Sequence, residues 1–360
     1  MSSKTQFFLT GATGYIGGAV LARFLKDSNV ASFHFTVLVR NPEKAAKFNE
    51  IAGVTAVVGS LNDVPLVTKL ASEADVVVAI ADSDDFGAAQ AILAGLKQRR
   101  AATGVAPSFI QTSGAALFID DAKGMYATPT IYDDSDVDQI AALPPTQLHR
   151  DVDLAISAAD AEGYAKTYIL VPSMVYGIAT GLLVDKGIQN RHSQVLPGLI
   201  KISLGRGRAG MVGEGKNLWP NVEVHELADL YVALYDAITS NPATGHGTNG
   251  YYFGENGEHS FYDLSKAVGE SLVALGKSDN PEPKTFSQEE LDQFFGGSAI
   301  LGTNARCRAS HSLSIGWKPT KGTKDLLASV SAEMDALLGK AVDRSDSRVF
   351  QIEPPKVQDA

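Results

Sequence analysis

The chain is short of cysteine, of positive charge and of long apolar runs. It has one cysteine, Cys307, in 360 residues. An intrachain disulfide and a cysteine-built metal site are therefore excluded. Lysine and arginine number 31 against 41 aspartates and glutamates, a net charge of −10. That deficit argues against nucleic acid or an anionic membrane surface as the main partner. No apolar stretch reaches the length of a membrane span. The start, Met1-Ser2-Ser3-Lys4-Thr5-Gln6, runs straight into an apolar segment and leaves no room for a signal peptide. A cytoplasmic protein with no membrane partner is expected. The histidines at 149, 192, 225, 246, 259 and 311 show no short ligand spacing, so no metal is expected. Gln111 stands where a Gly-x-Ser-x-Gly elbow around Ser113 would need glycine. There are no internal repeats.

What is present begins at the N-terminus. An apolar run, Phe7-Phe8-Leu9, leads through Thr10 into Gly11-x-x-Gly14-x-x-Gly17, and Ala19, Val20, Leu21, Phe24 and Leu25 then follow with helical spacing. Strand, glycine-rich turn and helix in that order form a seat for a pyrophosphate. Gly11 allows the turn, Gly14 lets the backbone approach the phosphates, and Gly17 lets helix pack on strand. The free N–H groups at the helix start then face the anion.

Further apolar runs predict buried strands at 35–39, 54–58, 76–80, 108–112 and 167–171. Helical spacing lies between them, over about 42–51, 63–72, 84–102 and 148–163. This alternation predicts an α/β fold, a Rossmann-type doubly wound parallel sheet. Residues 1–177 form the expected dinucleotide-binding domain, its sheet completed by parts of 222–254. Residues 178–221 and 255–340 are expected to form a smaller, mostly helical substrate-binding portion, and 341–360 a flexible tail. Two stretches break the pattern. The polar segment from Gly114 to Thr146 carries an acidic run (Asp133, Asp134, Asp136, Asp138) and reads as a long functional or mobile loop. The region 178–222 gathers Arg191, His192, Lys201, Arg206 and Arg208, which read as a solvated face or as a seat for an acidic substrate.

The second strand ends in Val39-Arg40-Asn41-Pro42. A carboxylate there suits NAD, whereas an arginine can pair with a 2′-phosphate, so NADP(H) is the expected cofactor. Together with Gly59-Ser60-Leu61-Asn62-Asp63, Thr112-Ser113-Gly114, Pro172-Ser173-Met174-Val175-Tyr176-Gly177 and Val224-His225-Glu226-Leu227-Ala228-Asp229, these motifs resemble the extended and atypical short-chain dehydrogenase/reductases. The resemblance runs from about residue 5 to 270. It implies that Gly11, Thr13, Gly14, Tyr15, Ile16 and Gly17 hold the pyrophosphate and that Arg40 takes the 2′-phosphate. It implies further that Ser60 and Leu61 border the adenine. Ala79, Ile80 and Ala81 would line the nicotinamide ribose, and Pro172, Ser173, Met174 and Val175 would wall the nicotinamide. Ser113 matches the family's active-site serine or threonine.

The family's Tyr-x-x-x-Lys pair is absent. His149 falls at the lysine position and Pro145, which has no proton to give, at the tyrosine position. An imidazole can give or take a proton at neutral pH, so His149 can act as acid, base or ribose anchor. Tyr126, Tyr132 and Tyr176 are further candidates for the missing acid, Tyr132 chief among the loop tyrosines. The reading is an NADPH-dependent oxidoreductase that reduces a small carbonyl-type or related metabolite. Ser113, His149 and Tyr132 are the expected catalytic residues. A non-redox isomerase, lyase or cyclase, and a non-catalytic NADP(H)-sensing regulator, are the rival readings.

Overall fold

The computed structural model describes residues 4–339. The expected tail at 341–360 lies outside them. The first half alternates β1 (Thr5–Leu9), α1 (Tyr15–Phe24), β2 (Phe33–Val39), α2 (Pro42–Asn49), β3 (Val54–Val58), α3 (Val64–Ser72), β4 (Val76–Ala79), α4 (Phe86–Thr103) and β5 (Ser108–Thr112). Local chemistry sets the helix starts. Asn41 accepts from Lys44 N, Asp63 from Leu66 N and Asp85 from Ala88 N, each closing one orphan N–H. Helix α1 is different: its N-cap is Gly14, and no side chain caps it.

The segment expected as a long loop is built instead of short, anchored pieces. It holds β6 (Tyr132–Asp133), which pairs with Cys307–Arg308, and helix α5 (Val137–Ala141). Buried Asp134 accepts from Phe253 N (2.9 Å), His311 N (2.6 Å) and Ser312 N (3.1 Å). Asp136 caps α5, and Asp133 accepts from Ser135 and Ser310 hydroxyls. The acidic run is thus a set of anchors rather than a mobile charged stretch.

Next come α6 (Arg150–Ala161), β7 (Lys166–Pro172), β8 (Met174–Tyr176), α7 (Leu182–Asp185), α8 (Val195–Arg206), β9 (Gly210–Met211), β10 (Leu218–Glu223), α9 (Val224–Ser240) and β11 (Tyr251–Gly254). Seven strands form one parallel sheet in the order β11-β7-β5-β4-β1-β2-β3. The order reverses between β1 and β4, which opens a crevice at the carboxyl ends of those strands. The main core packs around this sheet. A second hydrophobic cluster joins Met174 and Tyr176 to α8 and to the helices Phe261–Ala274 and Thr323–Leu338.

The basic residues of 178–222 do not form one patch. Arg206 pairs with both Glu290 oxygens (2.6 and 3.0 Å) and stacks over Phe286. Arg208 donates to the carbonyl of Glu282, and His192 is buried 3.6 Å from Glu333.

Glu223 joins β10 to α9. Its carboxylate accepts from His225 N (2.8 Å), Glu226 N (3.0 Å) and His225 Nδ1 (2.8 Å), with Lys321 Nζ at 3.2 Å. Burial opposes the charge, but these bonds outweigh it and hold the carboxyl down at about 2. Its stabilisation is therefore complete above the unfolded value of 4.5 and is lost as pH falls toward 2. Glu223→Gln should lower stability by about 2 kcal/mol at neutral pH. In urea unfolding, the gap to wild type should narrow between pH 5 and pH 3.

Candidate dinucleotide and active site

The crevice is lined first by the turn after β1. Thr10 Oγ1 accepts from Ile80 N (3.1 Å) and Thr10 N donates to Val78 O (3.1 Å), so the ends of β1 and β4 are locked together. Gly11 has φ +79°, and a Cβ there would lie 2.8 Å from Ala81 N. A Cβ on Gly17 would lie 2.2 Å from Gly11 O. No side chain fits between turn and helix. Gly14 N donates to Gly11 O (2.8 Å), and the first turn of α1, through Tyr15 and Ile16, then faces the crevice without a side-chain cap. This backbone cradle fits a pyrophosphate.

The segment after α7 covers the turn. Asn190 N donates to Thr13 O (3.0 Å), and Gln189 Nε2 donates to Tyr15 O (2.9 Å). The Tyr15 hydroxyl donates to Gly177 O (2.6 Å). Leu61 and Ala79 meet Thr10, Asp82 and Gln111 around a shallow cavity, with Ile80 and Ala81 continuing the β4 end. Ser60 accepts from Asn62 N in the neighbouring turn. Arg40 is exposed at the end of β2 and has no hydrogen-bond or ion-pair partner among the described residues. Across the crevice, Pro172 ends β7, and Ser173 donates both its N–H (3.0 Å) and its hydroxyl (2.7 Å) to Gly254 O. Met174 turns into the second cluster and Val175 is half-buried.

A polar centre lies where β5 ends and α6 begins. Ser113 is buried, and its Oγ donates to Asp153 Oδ2 (3.0 Å). His149 caps α6 with a left-handed backbone, φ +69°, rare for a side chain with a Cβ. Its ring turns back toward β4, where Nδ1 lies 2.6 Å from Asp84 Oδ1 and 3.1 Å from Ser83 Oγ. Burial works against the Asp84 charge, but the bond to His149 holds its carboxyl below the usual range. Nε2 faces Gly114, where an added Cβ would come within 3.0 Å of it. With Nδ1–H given to the carboxylate, Nε2 is the ring atom left to exchange a proton with a ligand.

The tyrosine candidates make other contacts. Tyr132 stacks on Phe118 (4.7 Å between centroids), its backbone is tied to Arg306 O, and no hydrogen bond joins it to Ser113 or His149. Tyr176 is buried and donates to Gly322 O, and burial pushes its hydroxyl well up. Tyr126 is exposed. Among the described residues no group of three or more His, Cys, Asp or Glu is placed to hold a metal, and no helix is long and apolar enough to cross a membrane.

Residues 11–127 match the NAD(P)H-binding domain family. The solved structures with similar folds include the NAD-bound dTDP-glucose 4,6-dehydratase of Streptomyces venezuelae. It has a TM-score of 0.66 at 15% identity, covering 93% of this chain and 98% of that one. The UDP-glucose 4-epimerase of Thermotoga maritima gives 0.63 at 13%, over 93% and 100%. The chain has the extended short-chain dehydrogenase/reductase fold. An oxidase of Acremonium sp., ucsJ, is 28% identical, covering 87% of this chain and 92% of its own. An uncharacterised protein of Saccharomyces cerevisiae is 24% identical over 87% and 94%.

Sequence reasoning missed two residues of the polar centre. Asp84 lies in the run Asp82-Ser83-Asp84-Asp85, which reads as helix-cap chemistry, and Asp85 indeed caps α4. Asp153 reads as a first-turn acid of α6, yet it is fully buried. The cradle itself yields a direct check. Gly17→Ala forces the turn away from α1, so dinucleotide affinity should fall about tenfold or more. A fluorescence titration that finds wild-type affinity in this variant would disprove the cradle.

Proposed function

We propose that this protein is an NADPH-dependent reductase of a small carbonyl-type metabolite. In this reading Ser113 orients the substrate oxygen and His149, held by Asp84, supplies its proton. The observation that carries it is the Asp84–His149 pair, 2.6 Å apart, with Nε2 turned toward Gly114 beside Ser113. The resemblance expects the tyrosine and lysine near this place, and here Pro145 has nothing to donate. Reduced nicotinamide, when bound, supplies the hydride. Gly11, Gly14 and Gly17 bring the backbone to the pyrophosphate, and unpaired Arg40 gives a 2′-phosphate a partner. Asp84 fixes the imidazole tautomer and orientation, as a carboxylate behind a catalytic histidine does. The acidic residues near the crevice are already engaged: Asp82 accepts from Asp84 N and Asp85 caps α4. We place its action in the cytoplasm.

The fold neighbours, a dehydratase and an epimerase, favour a second reading, a net non-redox conversion. Substrate conversion with no net change in NADPH would select it.

Steady-state NADPH oxidation over a carbonyl panel tests the reductase. His149→Ala should lower kcat by about a hundredfold or more, the usual weight of a general acid. Exposed Asp151 lies two residues on, and Asp151→Ala should leave kcat unchanged. Undiminished turnover in both His149→Ala and Ser113→Ala would rule this chemistry out. Arg40→Asp should move preference from NADPH toward NADH, and unchanged NADPH affinity in that variant would remove the 2′-phosphate assignment.

A further inference from the structure

A serine has one O–H to give. In this structure Ser113 gives it to Asp153 Oδ2, 3.0 Å away, and not to the crevice. Asp153 stands one helical turn after His149 on α6 and is completely buried. Its other oxygen, Oδ1, is buried with no hydrogen-bond partner. A buried carboxylate supported by one neutral hydroxyl is in poor surroundings for its charge.

The groups facing it come from four elements. Ser113 ends β5, His149 and Arg150 begin α6, Asp84 follows β4, and the Tyr251 hydroxyl comes from β11. Arg150 does not neutralise Asp153 by an ion pair: its Nη1 donates to Tyr251 Oη (2.8 Å) and its Nε has no partner. Burial dominates and pushes the Asp153 carboxyl up to about 7, against the Ser113 bond and the positive charges of His149 and Arg150.

We propose that Asp153 decides whether Ser113 can hydrogen-bond a substrate oxygen. Ionised, Asp153 takes the Ser113 hydrogen and turns it from the crevice. Protonated, Asp153 donates to Ser113 Oγ, and the serine hydrogen is released toward the substrate. The two states differ by the rotation of one O–H, and no heavy atom has to move. Asp153 is a positioning residue and touches no substrate. This role rests on the proposed function of Ser113 as the group that orients the substrate oxygen.

Two readouts test it. In infrared difference titration of the NADPH-loaded protein, wild type should show a protonated-carboxyl band that disappears near neutral pH. Asp153→Asn should lack that band. In Ser113→Ala the midpoint should rise, because the bond that favours the ionised form is gone. In NADPH oxidation, kcat/KM of wild type should fall about tenfold per pH unit above that midpoint. Asp153→Asn, whose amide donates to Ser113 Oγ at every pH, should keep only the part of this limb that comes from the His149 acid, so its decline should be shallower and it should exceed wild type at pH 9. A band that persists in Asp153→Asn, a midpoint unmoved by Ser113→Ala, or an alkaline limb in Asp153→Asn superimposable on that of wild type overturns the proposal. If no carbonyl is turned over, the reductase reading has failed, and the Ser113→Ala midpoint still decides whether the two side chains are coupled. If Asp153→Asn does not fold, that same midpoint carries the test.

Discussion

The structure depends on how closely the backbone of the first turn meets the first helix. Gly17 lies so near Gly11 that it cannot carry a Cβ, and Gly11 in turn is pressed against the backbone of Ile80 and Ala81. That contact fixes where α1 begins, and α1 begins without a side chain to satisfy its leading N–H groups. In α2, α3 and α4 an asparagine or aspartate does that work. Among these four helices only α1 starts without a side-chain cap, and it starts at the end of β1, beside which the strand order reverses. A candidate anion seat thus follows from an omitted cap as much as from the glycines.

The second constraint is how the polar centre divides its protons. Two carboxylates flank it in opposite surroundings. Asp84 is half-exposed, bonded to an imidazole, and held ionised. Asp153 is fully buried, bonded to a hydroxyl, and pushed toward its neutral form. Environment alone separates them, since the side chains are identical. The left-handed backbone at His149 belongs to the same arrangement. It stores about 1 kcal/mol of local strain and turns the ring from α6 toward β4.

Much of the fold was legible in the sequence. The bounds of β3 and β5 coincide with the predicted runs 54–58 and 108–112, because each strand is one continuous local stretch, even though β3 lies at the sheet edge and is only partly buried. The cofactor cradle was legible for the same reason: its residues are consecutive, and their spacing is their geometry. The polar centre was legible only in part. Ser113 and His149 announce themselves by position, but Asp84 reaches His149 across 65 residues of chain. Nothing local marks it. The segment 114–147 misled for a related reason. Its anchors bind partners such as Phe253 and His311, more than a hundred residues on. A polar run whose partners are distant looks solvated until the chain is folded.

If the segment 114–147 borders the substrate of the proposed reductase, its anchors also limit how that substrate can be selected. Asp134 is bound to the edge of the main sheet and to the chain beyond Arg308, and Tyr132 is stacked in place. A wall tied at its middle cannot open and shut like a hinged cover. Discrimination at this mouth must then come from fixed shape and fixed polarity, as with a die rather than a clamp. Binding would release little ordering entropy for use elsewhere, and related substrates should be told apart by fit at entry more than by closure after it.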